Sequence, residues 1–330
     1  MKSDPSRLRR LAWWASTVVG LALLASCGGG DLVSAFAPRR IVAFGDETSA
    51  LTTAGQVDPV TQQTYDATGK NWGVNAVDAT SGALLCQNGP NWVQYLAQSW
   101  RLPFAQCNPS GGAAPSLDYA INGAKVADVS AQIDSHLAAD SLTDKDLVTL
   151  LVGANDILAQ YALYDGTNEA ALSAALEDRG TALAGLVHRL VDAGGKVIVL
   201  TVPDLGVTPF AIAEKAAHTD TDRAALLSRL TDRFNAKLRV GLVNDSGRNV
   251  GLVLGDQVIQ FYSRFPAAGG FVDVIDPACT TAAPPDCTNK TLATGADGNT
   301  WLWATPTLLS AGGQRQLGIA ADSRSRNNPF

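Results

Sequence analysis

The chain carries four short apolar runs, each stopped by turn-forming residues, and that recurrence limits it to few folds. Ile41 to Phe44 is stopped by Gly45-Asp46, and Leu147 to Val152 by Gly153-Ala154-Asn155-Asp156. Lys196 to Val202 is stopped by Pro203-Asp204-Leu205-Gly206, and Asn249 to Leu254 by Gly255-Asp256. Apolar runs of this length that do not alternate with polar residues read as strands buried on both faces. Helical spacing separates them. Leu172, Leu176, Leu183, Leu186, Val187 and Leu190 mark a helix over 168–193, closed by Gly194-Gly195. Leu226, Leu230, Phe234 and Leu238, spaced by four, mark another over 221–242. Strands alternating with helices predict a parallel sheet covered on both faces, an α/β fold.

Such sheets bind ligands outside the carboxyl ends of their strands. Gly45-Asp46-Glu47 and Gly153-Ala154-Asn155-Asp156 both follow strands directly, so both are expected at one crevice. The stretch from Thr52 to Ser116 is rich in Gly, Asn, Gln and Pro and reads as long loops around one helix near Trp92 to Trp100. No internal repeat is evident. With 330 residues, 46% of them hydrophobic, the chain can bury one sizeable core, and no shift in composition marks a second domain.

These motifs resemble those of the SGNH/GDSL hydrolases, a doubly wound α/β family of esterases and lipases. Phe44-Gly45-Asp46-Glu47 stands where that family has a strand and Gly-Asp-Ser, and Tyr119-Ala120-Ile121-Asn122-Gly123-Ala124 resembles its oxyanion-glycine block. Gly153-Ala154-Asn155-Asp156 matches its Gly-x-Asn-Asp in full, and Pro203-Asp204-Leu205-Gly206 is similar to a loop of lipase members. The resemblance runs from about Ile41 to the C-terminus. It implies a mainly parallel sheet between two helical layers, the flavodoxin-like three-layer architecture, with a single domain over 39–330. It also implies oxyanion-like roles for Gly123 and Asn155, and motif roles for Gly45, Asp46, Gly153 and Asp156. The plainer readings are a turn glycine for Gly123 and a helix cap or turn residue for Asn155.

The catalytic triad expected from the resemblance is missing. Glu47 stands at the nucleophile position. In the C-terminal block, Trp303 and Ala311-Gly312 fix a register that places Thr305 where Asp belongs and Leu308 where His belongs. A shifted register supplies no substitute, because no His follows His218. A serine hydrolase needs a hydroxyl, a base to take its proton and a carboxylate to orient that base. Glu47 has no hydroxyl and Leu308 accepts no proton. We expect the Glu47 carboxylate to fold into the vacated oxyanion hole; the alternative is a solvated loop residue. Leu308 and Leu309 are expected to plug the crevice in part. Ser49 is a candidate displaced nucleophile, but the C-terminal block offers it no candidate base. His136, His188 and His218 fall in or beside predicted helices, and adjacent Asp46 and Glu47 resemble a glycosidase carboxylate pair only superficially.

The N-terminus reads as a targeting segment. Arg7, Arg9 and Arg10 precede an apolar run from Leu11 to Leu24, too short for a comfortable membrane span. Leu24-Ala25-Ser26-Cys27 then resembles the lipobox of bacterial lipoproteins. That implies a signal peptide over 1–26, lipidation of Cys27, a tether over 27–38 and a location in the cell envelope, with Gly28 favouring the outer membrane. The other four cysteines, an even number in an exported chain, suggest disulfides. They allow three pairings, of which the sequence-local Cys86–Cys107 and Cys279–Cys287 are expected. A metal site is disfavoured, since no CxxC spacing or nearby His accompanies them. Asp297-Gly298-Asn299 reads as a turn, not a calcium loop.

Net charge is −6; the first 26 residues contribute +3, which leaves −9 for the rest. An acidic body without basic clusters argues against nucleic-acid binding. The expected function is a catalytically inactive, lipid-anchored binding or scaffolding module. It would have no cofactor, and its ligand would be an acyl or glycan-like group or a protein. The alternative is an ester hydrolase with a rearranged active site.

Overall fold

The computed structural model describes residues 36–243, 249–328 and 330. The expected signal segment, Cys27 and most of the tether lie outside these described residues. Five strands, β1 (Arg40–Gly45), β2 (Leu117–Asp118), β3 (Asp146–Leu151), β4 (Lys196–Leu200) and β5 (Val250–Val253), form one sheet in the order β2-β1-β3-β4-β5. All neighbours are parallel. The four expected runs supply β1, β3, β4 and β5. The fifth strand, β2, is only Leu117–Asp118, too short for any periodicity to register.

Alternate side chains along each strand enter different cores, as a sheet covered on both faces requires. Val42, Phe44, Val148, Leu150, Val197 and Val199 face one layer. It is built from α2 (Val126–Ala139), α3 (Ala154–Tyr161), α4 (Glu169–Asp192) and α6 (Arg223–Gly241), with α5 (Pro209–Ala217) at its margin. Ile41, Ala43, Leu147, Leu151, Ile198 and Leu200 face the other layer. There α1 (Trp92–Trp100), α7 (Gly255–Arg264) and α9 (Ala311–Asn327) bury Trp92, Leu96, Ile259 and Leu317. The short α8 (Pro266–Gly269) leads into a separate parallel pair, β6 (Asp273–Pro277) and β7 (Trp301–Trp303). This is the expected doubly wound α/β architecture. The chain order of the strands reverses between β1 and β3, and their register, Arg40 opposite Asp146 through Gly45 opposite Leu151, ends both strands together. That is the switch point at which such sheets open a crevice.

The connection from β1 to β2 corrects one expectation, because it does contain a repeat. Val57-Asp58 and Val77-Asp78 each open a small hairpin, bridged Val57–Thr64 and Val77–Leu84. In each the aspartate Oδ1 accepts two backbone N–H groups, from Val60 and Thr61 at 2.7 and 2.9 Å and from Thr80 and Ser81 at 3.0 and 2.7 Å. Each turn then passes a left-handed residue, Gln62 at φ 60° or Gly82 at φ 73°. Gly69, Asn71 and Trp72 recur as Gly89, Asn91 and Trp92 with the same offset as the valines. The second copy runs into α1, where Asn91 and Gln94 form a capping box. The disulfides are Cys86–Cys107 and Cys279–Cys287, both with Cα atoms 5.8 Å apart.

Candidate active-site crevice

The crevice is built from strand ends that must lie close together. Gly45, the last residue of β1, has φ 139°, and a Cβ there would fall 2.1 Å from the Leu151 carbonyl oxygen. Only glycine fits, because the chain turns hard against β3. Gln132 of α2 holds the turn from the other side: its Oε1 accepts from Gly45 N–H and its Nε2 donates to Gly45 O, both at 2.9 Å. Gly153, at φ 131°, makes the equivalent turn after β3, where a Cβ would meet the Phe234 ring at 2.5 Å. Asn155 and Asp156 therefore occupy the first turn of α3, facing the end of β1.

Glu47 does not point into solvent. It is 7% exposed, and its carboxylate sits between two donors. Gly123 N–H donates to Oε2 at 2.9 Å, and the Asn155 amide donates to Oε2 at 2.9 Å and to Oε1 at 3.2 Å. The same amide donates to Ala124 O at 3.1 Å, which fixes its orientation. Asp156 braces the arrangement: its Oδ2 accepts from Val126 N–H at 2.9 Å, at the start of α2, and Arg179 lies 3.7 Å from its Oδ1. Gly123 has φ 76°, and the side chain of Val60 covers it, 2.4 Å from where a Cβ would be. The first hairpin is fastened there by Asn122, whose amide donates to Asp58 Oδ2 at 2.9 Å, and by Tyr65 O–H on the same oxygen at 2.9 Å.

Electrostatics set the neighbouring acids apart. Burial, and then the nearby negative charge of Glu47, push Asp46 well above the usual carboxylate range, against the opposing pull of its Thr48 hydrogen bond. Burial also raises Asp156, opposed by Val126 N–H and Arg179. Asp46 and Glu47 have different partners, Thr48 N–H for the first and Gly123 with Asn155 for the second.

Among the described residues the C-terminal block supplies no hydrogen-bonded triad. Thr305 Oγ1 accepts from Leu308 N–H at 2.9 Å, closing the turn between β7 and α9 on itself. No hydrogen bond joins Glu47 to Thr305 or Leu308 among the described residues. Leu308 is half-buried, whereas Leu309 is 3% exposed and packs with Trp303 and Leu302 in the core. Of the two residues expected to plug the crevice, Leu309 is therefore a core residue, because the bridge from Trp303 to Leu309 turns it inward.

Ser49 is fully buried, and its hydroxyl accepts from the Trp92 indole N–H at 3.0 Å. His136 contacts Tyr119, His188 contacts Gly241 O and His218 lies by Glu214, so no described His meets a Ser. Asp297 Oδ1 accepts Asn299 N–H at 2.7 Å within a turn. Among the described residues no group of three or more His, Cys, Asp or Glu could hold a metal ion. Two cavities open beside the Glu47 site. One, about 510 Å³, is lined by Val60, Ile121, Gly123 and Ala124; the other, about 480 Å³, by Tyr65, Trp72 and Asp118.

Val60, Asp58 and Gln132 were not expected at the crevice. Asp58 and Val60 had a signal, the repeated Val-Asp, but Gln132 is one amide on a helix and carries none.

Residues 41–301 match the family described as GDSL-like lipase/acylhydrolase. A phosphatidylcholine-sterol acyltransferase of Aeromonas hydrophila is 32% identical over 149 residues, which are 44% of this chain and 36% of that protein. The match thus spans about a third of the curated relative's length. Solved structures with a similar course include a catalytic mutant of an acetylxylan esterase from Geobacillus stearothermophilus. It is 14% identical with a TM-score of 0.46, covering 88% of this chain and 94% of that one. A lipolytic G-D-S-L family protein of Veillonella parvula is 14% identical with a TM-score of 0.39, covering 86% and 95%.

Proposed function

Because the chain belongs to the GDSL-like lipase/acylhydrolase family, we propose that it is a member that has given up ester hydrolysis and acts as a binding or scaffolding module. The observation that carries this reading is the position of Glu47. In acyl transfer, paired N–H donors stabilise the negative oxygen that develops on the attacked carbonyl. Here a carboxylate oxygen of the protein takes both donors, Gly123 N–H and the Asn155 amide, at 2.9 Å each. A substrate carbonyl and Glu47 cannot share them.

The nucleophile position has no hydroxyl, and no imidazole follows His218 in the chain. In a serine protease, losing Ser or His alone costs roughly 10⁶-fold in turnover. The ligand of such a module is an acyl or glycan-like group or a protein, by analogy with the family's substrates. Its place is the cell envelope, held by lipidated Cys27.

The competing reading is an ester hydrolase with a rearranged site. What favours it is that Gly123 and Asn155 still converge on one point.

The deciding experiment is an assay of the purified protein on short and medium acyl esters, with a serine-directed fluorophosphonate probe and a Glu47→Ala control. The proposal expects neither turnover nor labelling. Turnover lost in Glu47→Ala would establish a carboxylate mechanism instead, and a labelled serine would reveal a relocated nucleophile.

A further inference from the structure

Helix α1 ends on an unusual residue. Its C-cap is Arg101, with φ 58° and ψ 39°, and the Arg101 N–H closes the helix on the Ala97 and Gln98 carbonyls. Glycine is the ordinary residue for a left-handed helix end, because a Cβ is disfavoured there. Among the described non-glycine residues only Arg101 and Gln62 have positive φ. What arginine adds over glycine at this cap is its side chain, and that side chain makes no hydrogen bond, ion pair or ring contact with any described residue.

Arg101 lines a cleft of about 530 Å³ beside α1. The apolar part of the lining is Ala97, Pro103, Phe104 and Cys107, and most of the rest consists of amides. The Gln98 Nε2 donates to Gln87 O at 3.2 Å, which leaves its carbonyl oxygen open, and the Gln87 and Asn88 side chains make no hydrogen bond to any described residue. The Cys86–Cys107 disulfide ties the wall that carries Gln87 to the floor at Cys107. No Asp or Glu lines the cleft, although the chain beyond residue 26 has a net charge of −9. An uncompensated arginine in a carboxylate-free cleft on an acidic protein is a local reversal of sign.

We propose that this cleft binds an anionic saccharide, a sugar unit bearing a carboxylate. The planar guanidinium pairs with a carboxylate through two parallel N–H donors. The amides of Gln87, Asn88 and Gln98 offer both donors and acceptors, which suits hydroxyl groups that also do both. A single cation among amides suits one carboxylate set among hydroxyl groups better than a bare phosphate, which would call for more positive charge. The cleft is distinct from the Glu47 crevice. Asn91 at the start of α1 holds Ser49 O near that crevice, while Arg101 lies ten residues further on, about 15 Å along the helix.

The test is calorimetric titration of the full-length protein in detergent with trigalacturonate, using neutral galactotriose and sodium acetate as controls. Trigalacturonate should bind, and both controls should bind far more weakly. Arg101→Gln should weaken trigalacturonate binding about tenfold or more, the loss expected for a charge-assisted pair. Arg101→Lys should fall between the two, since it keeps the charge and loses the fork. Arg101→Gly should raise the Tm while abolishing binding, a split that a purely structural role for Arg101 would not produce. Arg326, whose guanidinium lies 4.1 Å from the Trp100 ring centroid outside the cleft lining, serves as the control, and Arg326→Gln should bind normally. Galactotriose binding equal to trigalacturonate, acetate matching it, undiminished binding by Arg101→Gln, or no heat with any sugar would each overturn the proposal. Because the readout is binding and not ester turnover, failure here is distinct from failure of the reading of Glu47.

Discussion

Replacing Glu47 by Ala removes the acceptor shared by Gly123 N–H and the Asn155 amide. Gly123 is only partly buried, so water reaches the freed donor and the expected cost is modest, about 1–2 kcal/mol in urea unfolding. Glu47→Gln keeps one carbonyl acceptor and should lose less. The emptied pair of donors should then take a small carboxylate from solution, so acetate should raise the Tm of Glu47→Ala and not that of the parent protein. Equal shifts in both would show that acetate binds elsewhere. Asp46 gives a pH prediction. Its folded pKa is raised, so the folded chain keeps a proton that the unfolded chain releases near pH 4. Unfolding free energy therefore falls as pH rises from about 4 toward the folded pKa. Asp46→Asn should flatten that fall and be the more stable form at the alkaline end. Identical slopes for the two proteins from pH 4 to 8 would contradict this account.

At the scale of elements, the long β1–β2 connection is two copies of one hairpin put to different uses. The first copy sets Val60 over Gly123 and fastens itself through Asp58 to Asn122. The second rests on Asn289, whose Oδ1 accepts from Val77 N–H at 3.0 Å. The repeat escaped the sequence reading because its shared residues, Val, Asp, Gly, Asn and Trp, are scattered among unlike ones. They serve turns and caps, which impose no hydrophobic period. Asn91 shows how much one such residue holds: it is fully buried, accepts Gln94 N–H at 2.9 Å and donates to Ser49 O at 3.0 Å. Asn91→Ala should cost about 2–3 kcal/mol by combining a lost cap with unpaired buried groups. Joint replacement of Cys86 and Cys107 by Ser should cost about 3 kcal/mol, the chain-entropy value for the 21-residue separation. A loss below about 1 kcal/mol would mean that the unfolded chain is already restrained there.

For the whole molecule, the strand order brings the ends of β1 and β3 together and so makes the crevice. The chain enters the sheet at Arg40, the opposite end of β1 from Gly45. If the envelope proposal holds, Cys27→Ala expressed in a bacterial host should move the protein from the membrane fraction to the soluble one, and mass spectrometry should find acylation only in the parent. Unchanged fractionation would exclude that anchor.

The apolar runs and their stop residues were enough, by themselves, to specify an α/β fold with strands in β1, β3, β4 and β5. Burial on both faces leaves a continuous signature in the chain, and Gly45 and Gly153 mark where it must turn. The lack of a hydroxyl at Glu47 and of any imidazole after His218 was likewise legible, since chemistry is carried by residue type. Which of the two destinations expected for the Glu47 side chain, the oxyanion donors or solvent, it would take was not. It depends on Gly123 and Asn155, 76 and 108 residues away, arriving within hydrogen-bond distance of one oxygen. The two-residue β2, the Gln132 brace and the inward turn of Leu309 were decided the same way. Each is a contact between distant segments, set by packing and geometry that no local period records.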